Sequence, residues 1–337
     1  MNKSQRRITA FISITLLVIM GISLSQGSYH IDLKSVLNWA IYHLGIVGKR
    51  DYSVEQELVL SSIRLPRIIT VMIVGFALAI SGAVLQAIFK NPLVSPFILG
   101  ISSGAALGVS LVVCFISVYS VFFIQFSAFL FGVGAVIIVI ALSKLFVSRS
   151  TVALVLSGII VSSFLAALVS LVQYFSEEQK LQSILFWTFG SFTNSTWKNI
   201  SLIAPICLIC SSFLILLAWK INALSLGDEE GRSLGIETRK FQLILLLFTS
   251  LLVSSVTASC GPIGWVGLII PHIVRMLGGV NHRYVLVSSG LLGALFMLLV
   301  DLIARNIARV EIPVGIVTAI VGLPFFAFIL NRSKSIQ

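Results

Sequence analysis

The sequence predicts an all-α integral membrane protein, on three observations. Of 337 residues, 58% are apolar and only 10% charged, with a mean hydropathy of +1.07. A soluble domain carries about a quarter charged residues. The apolar residues gather in runs of bilayer length, about 20 residues for a hydrocarbon core of about 30 Å. The basic residues sit in the short intervals between those runs.

The runs lie near 8–26, 65–89, 95–117, 120–146, 152–175, 200–219, 240–260, 263–277, 284–304 and 313–330, which predicts ten transmembrane helices. Nothing in the chain reads as a soluble appendage, so 1–337 is expected to form a single permeation domain. Lys3, Arg6 and Arg7 before Ile8–Leu24 resemble a signal peptide. The run is longer than an h-region and no A-x-A-like site follows, so it reads as a retained first helix. The eighth run is short and lies among Gly261, Pro262, Gly264, Gly267 and Pro271. Irregular backbone at membrane depth needs protein or a water-filled cavity to cover it. With the N-terminus inside, 14 Lys/Arg fall on the inner side (Arg149 among them) and 9 on the outer (Lys49 and Arg309 among them). That is the positive-inside bias, and both termini are expected to be cytoplasmic.

Several function classes drop out. The net charge of +11 is dispersed through loops and forms no basic stripe, which excludes a nucleic-acid binder. Cys114, Cys207, Cys210 and Cys260 lie in or at the ends of apolar runs, where small packing cysteines are the expected reading and a metal or redox site is not. No GxxxxGK[ST], HExxH or GxSxG occurs, so no catalytic residue, metal site or resident cofactor is expected and the chain is not read as an enzyme. His272 after Pro271 reads as structural. An ion-driven carrier usually holds an ionisable residue within the membrane. Runs two to eight have no interior acid, and Asp301 stands four residues before Arg305, a spacing that pairs them. A stand-alone secondary transporter or channel is therefore the alternative, and energy supplied by a partner the simpler reading.

Four features carry the functional argument. Asn222–Glu237 reads as a short inner-side amphipathic helix, with Asp228, Glu229 and Glu230 in its first turn and Gly235 able to stop it. It is either a solvated loop or a lever fitting a partner. Leu226, Gly227, Gly231, Arg232, Ser233 and Leu234 complete that segment. On the outer side Arg64 and Arg67 bracket Pro66, with Arg305 and Arg309 at the edge of the ninth run. They either snorkel to headgroups or form a charged platform for an acidic partner. Gly100, Gly104 and Gly108 recur every four residues, a spacing for close helix packing, with a pore lining as the lesser option. Two outer segments remain: 27–63, long enough for an amphipathic helix, and 176–199, whose Trp187 and Trp197 suit an interface.

Arg64–Gly108 (RLPRIITVMIVGFALAISGAVLQAIFKNPLVSPFILGISSGAALG), Gly261–Gly279, Asp301–Arg305 and Glu311–Leu330 together resemble the FecCD-type permease family, in order and spacing over essentially the whole chain. These are the membrane subunits of type II ABC importers for iron–siderophores, haem and cobalamin, with a minority carrying molybdate or tungstate. The resemblance implies a bacterial or archaeal inner-membrane location and a second permease copy, with the pathway at the dimer axis. It further implies two ATP-binding cassette subunits holding ATP and Mg, and a periplasmic or lipid-anchored substrate-binding protein. By resemblance to the cobalamin importer, Arg64, Arg67 and Arg305 match arginines that dock the binding protein, while Arg309 has no counterpart. The family's coupling helix matches 222–237, with Gly231 where alanine is usual. A Thr-Ser cytoplasmic gate matches Thr151 and Val152, so the second hydroxyl is missing. Gln86, Ser157 and Gln173 are candidates to line the pathway.

Overall fold

The computed structural model describes residues 1–27, 29–46, 50–116, 120–146, 151–308 and 310–333. Lys49, Arg149 and Arg309 lie outside the described residues, as does the side chain of Asp228. The described residues are mainly helical and contain no strand. In chain order the helices are α1 (Lys3–Ser25), α2 (Leu33–His43), α3 (Val54–Leu58), α4 (Leu65–Ile88), α5 (Ile101–Phe115), α6 (Val121–Ser143), α7 (Thr151–Tyr174) and α8 (Glu178–Thr188). There follow α9 (Trp197–Leu216), α10 (Ala218–Leu226), α11 (Asp228–Ser233), α12 (Thr238–Cys260), α13 (Val266–Gly278), α14 (His282–Asn306) and α15 (Val314–Ser333).

Seven helical runs are long and apolar enough to cross a membrane: α1, the α3–α4 run, α6, α7, α9, α12 and α14. Three shorter apolar helices, Ile101–Phe115, Val266–Gly278 and Val314–Pro324, coincide with the remaining runs in the sequence. At about 1.5 Å per residue the first two are too short to cross about 30 Å unaided. Each is prolonged by non-α backbone. A 3-10 turn, Pro96–Leu99, leads into α5, and the irregular stretch 261–265 leads into α13.

Two layers result. The apolar windows of the α3–α4 run, α12 and α14 are 78%, 67% and 61% buried, whereas those of α1, α6, α7 and α9 are 28–33% buried, which places the first three at the centre. Apolar tails attract helices no less than other helices do, so association in a membrane depends on close packing. Here it reaches backbone on backbone. A Cβ at Gly75 or Gly293 would overlap the other residue's carbonyl, and one at Gly82 would overlap the carbonyl of Gly267. These contacts hold α4 against α14 and α13.

Gly104 and Gly108 perform the same service between α5 and α6, where an added Cβ would sit 2.5 Å from Phe131 O and 2.6 Å from Ser127 O. Gly100 does not share that role. It precedes α5 at φ 77°, a left-handed turn joining the 3-10 segment to the helix, and what requires glycine there is backbone conformation. The irregular stretch at 261–265 is covered by protein. Ser191 N–H donates to Cys260 O at 2.8 Å, and Val314 N–H and Gly315 N–H donate to Gly190 O and Phe189 O at 3.0 and 3.1 Å.

Substituting Val for Gly293 is expected to cost at least about 1–3 kcal/mol, because neither backbone can retreat. The midpoint of thermal unfolding of the detergent-purified protein, lowered by several degrees, is the measurement that checks it.

Candidate functional site

Both ends of α14 carry polar constructions, and the 19 helical steps from His282 to Asp301 rise about 29 Å, close to the bilayer core.

At one end stands a buried ionic cluster. Its geometry begins with a six-residue π-turn, Val59–Arg64, between α3 and α4. Pro66 has no N–H to give the carbonyl four residues back, which favours a local change of register. Leu65 N–H accordingly reaches Leu60 O, and the carbonyl of Ser61 it would otherwise meet accepts from Trp197 Nε1 at 2.9 Å. The turn delivers Arg64 inward. Its guanidinium donates to the carbonyls of Leu24 and Tyr29, and the residue is 4% exposed.

Arg67, three residues on, bridges two acids. Nε and Nη2 donate to Asp301 Oδ1 at 3.1 and 2.9 Å, and Nη1 donates to both oxygens of Glu311 at 2.9 Å. Arg305 pairs through Nε with Asp301 Oδ2 at 3.0 Å, the i,i+4 contact the spacing implies, and donates through Nη2 to Ser23 Oγ at 2.8 Å. Asp301 is fully buried, so an isolated carboxylate there would be strongly disfavoured; two flanking guanidiniums compensate it. It is thus a structural acid. Of the cluster only Glu311, with a side chain 43% exposed, presents substantial surface. The three arginines named from the sequence come together, turned into the chain. Beside them a cavity of about 450 Å³ opens, lined in part by Arg67, Glu311, Ser191, Thr193 and Asn194.

At the other end lies an elbow. The segment 222–237 is two short helices, α10 and α11, broken at Gly227, and not the one helix its pattern predicts. Gly235 at φ 75° ends α11: its N–H bonds Arg232 O at 2.9 Å and Ile236 N–H bonds Gly231 O at 3.0 Å, a complete Schellman pair. Leu226 and Leu234 are 73% and 60% exposed. Glu229, Glu230, Arg232 and Ser233 are exposed too. Gly231 is buried, and a Cβ there would lie 2.8 Å from Thr238 Cγ2 at the start of α12. The elbow is tied to α14 by a bond the sequence does not suggest. Asn222 Oδ1 accepts from His282 N–H at 2.8 Å and lies 2.9 Å from His282 Nδ1.

Thr151 opens α7 and lines a cleft near the start of α12, whereas Val152 is 62% exposed. Two of the three pathway candidates are interior. Gln86 is 4% exposed, accepts from Arg275, and donates to Leu268 O at 3.2 Å, bracing α4 against α13. Ser157 is fully buried, and only Gln173 retains partial exposure. The cysteines are free, with Cys207, Cys210 and Cys260 buried, and the described residues contain no group of His, Cys, Asp and Glu fit to hold a metal. His272 is partly buried on α13.

The profile of the FecCD transport family matches residues 15–332. The chain belongs to the FecCD family. The molybdate import system permease protein MolB of Haemophilus influenzae is 41% identical over 327 residues, 96% of this chain and 95% of that one. The hemin transport system permease protein HmuU of Yersinia pestis is 33% identical over 350 residues, covering 99% and 98% of the two chains. A solved inward-facing structure of a metal-chelate type ABC transporter aligns with a TM-score of 0.85 at 39% identity, over 97% of this chain and 99% of that one. This FecCD chain is a multi-pass protein of the inner membrane, a permease component at the level of its family.

Removing the central carboxylate of the ionic cluster, as in Asp301→Ala, leaves Arg67 and Arg305 facing each other with only Glu311 to compensate. A loss of about 3–5 kcal/mol is expected, read as a lowered unfolding midpoint. Asp301→Ala combined with Arg305→Met should recover part of it.

Proposed function

We propose that this FecCD chain is the membrane subunit of a binding-protein-dependent type II ABC importer. It would translocate a metal chelate of the iron–siderophore, haem or cobalamin class, or an oxyanion such as molybdate or tungstate. Ten crossings with both termini cytoplasmic, two permease copies around a central pathway, and two partner subunits that hydrolyse MgATP complete the assembly. The observation that carries the reading is the elbow at 222–237. Its apolar tips Leu226 and Leu234 project from the bundle beside exposed acids, which suits insertion into a partner's cleft.

In the proposed cycle, closure of the ATPase subunits pushes this elbow. Asn222 hands the displacement to His282 and thence to α14, a rod packed backbone to backbone on α4. The far end of that rod carries Asp301 and Arg305, so the same motion reaches the outer ionic cluster. Alternating access follows when the two end states differ in their affinity for partner and nucleotide. Thr151 and Val152 stand as the candidate inner gate.

Docking of the binding protein would take place at the cluster. A partner carboxylate can replace exposed Glu311 on Arg67 at little desolvation cost, with Arg305 adjacent. Arg64 would contribute only by leaving two backbone carbonyls, so its part is to hold the π-turn in register. Relatives named for molybdate and for hemin support cargo of the metal class, and in this reading its choice rests with the binding protein.

Vesicles containing the permease, the ATPase and the binding protein should accumulate labelled cargo only with MgATP. Uptake by the permease alone, driven by an ion gradient, would establish the stand-alone carrier in its place. Arg67→Glu should weaken binding-protein association at least tenfold at low salt, with the difference shrinking at high salt; unchanged affinity would remove the docking role. Gly231→Trp, which collides with Thr238, should retain ATPase binding while uptake per ATP hydrolysed falls severalfold.

A further inference from the structure

We propose that Glu311 is an internal stand-in for a partner's carboxylate: its pairing with Arg67 latches one wall of the cavity of about 450 Å³, and an acidic side chain arriving at Arg67 releases that wall. The two acids on Arg67 differ in kind. Asp301 is fully buried and bonded to Arg305 as well, so it cannot leave without stranding two guanidiniums. Glu311 has a side chain 43% exposed and stands in the non-helical connection between α14 and α15. Arg67 Nη1 donates to both its oxygens at 2.9 Å. A carboxylate from another protein offers the same acceptors, so exchange conserves the charge-assisted bonds and costs chiefly the movement of the connection. An amide or hydroxyl offers weaker bonds and a cation none, which restricts the releasing surface to an acidic one.

The connection that carries Glu311 is also the wall of the cavity. Residues 311–314 line it, together with Phe186 and Trp187 on α8 and Ser191 in the turn that follows. Val314 N–H donates to Gly190 O at 3.0 Å and Gly315 N–H to Phe189 O at 3.1 Å, and a Cβ at Gly315 would overlap the carbonyl of Phe189. The two linings are thus joined backbone to backbone, and a shift of one carries the other. Ile312 N–H holds the connection to α14 through Ala304 O at 3.1 Å, while Pro313 has no N–H to add a further tie. Within 310–315 Glu311 is the only charged residue, so the ion pair is the one tie there that a competing charge can displace. Charge compensation explains an acid beside Arg67. It does not require that acid to sit on a non-helical wall, half in solvent, when Asp301 already lies against the same guanidinium.

A latch weakens the apparent affinity of its competitor by the fraction of time it stands open, so removing one that is open about a tenth of the time strengthens binding about tenfold. The competitor's part rests on the proposed docking of the binding protein at the cluster, whereas the hold of Glu311 on the wall does not, and two readouts separate them. Cys260 lines the cavity, while Cys207 and Cys210 are buried on α9. With Cys114→Ser as background, the rate at which a maleimide labels Cys260 in the full-length permease in lipid nanodiscs reports opening with no partner present. Glu311→Gln, and Glu311→Ala as a second variant, should label severalfold faster and bind the binding protein about tenfold more tightly. An exposed ion pair contributes little to stability, so both variants are expected to fold. Glu178→Gln, at an exposed acid on α8, is the control of equal charge and should change neither readout. Equal labelling of wild type and both Glu311 variants overturns the latch, as does an equal gain of affinity in the control. Unchanged affinity in Arg67→Glu removes the docking reading, and the labelling rate then decides the latch by itself.

Discussion

The contact of α4 with α14 and α13, carbonyl against Cα at Gly75–Gly293 and Gly82–Gly267, is the constraint on which the other features rest. Within a bilayer there is little hydrophobic force to draw one helix to another, and dispersion between closely fitted surfaces takes its place. A single methyl group at those positions would separate the backbones. Because the central pair is rigid, α14 can serve as a rod with a function at each tip. Because α13 lies against the same face of α4, Gln86 can brace it where an irregular stretch would otherwise lack support.

Charge is placed by the same economy. An acid at membrane depth is tolerated only when paired, and Asp301 is paired twice. Arg67 reaches Asp301 because α4 packs on α14, and the π-turn before it sets the direction of Arg64. The elbow shows the complementary design, with exposed acids on a short α11 flanked by the exposed leucines Leu226 and Leu234; α11 ends in a Schellman pair, close enough to α12 for Gly231 to be buried. The ionic cluster thus buries most of its charge, whereas the elbow displays its own.

Composition and hydropathy alone established the membrane class and the position of every apolar helix, because the bilayer imposes a length and a polarity that a sequence cannot disguise. Spacing alone placed the pairing of Asp301 with Arg305, the close approach at Gly104 and Gly108, and the stop at Gly235, since each depends on neighbours within a turn or two of helix. Tertiary structure decided what depends on residues far apart in the chain. Arg67 finds Glu311 across 244 positions, Asn222 finds His282 across 60, and Gln86 reaches Arg275 across 189. The inward turn of Arg64, the break at Gly227, the separate role of Gly100 and the interior positions of Gln86 and Ser157 belong with these. A helical period states which residues share a face, but only the packing of other helices determines whether that face meets lipid, water or protein.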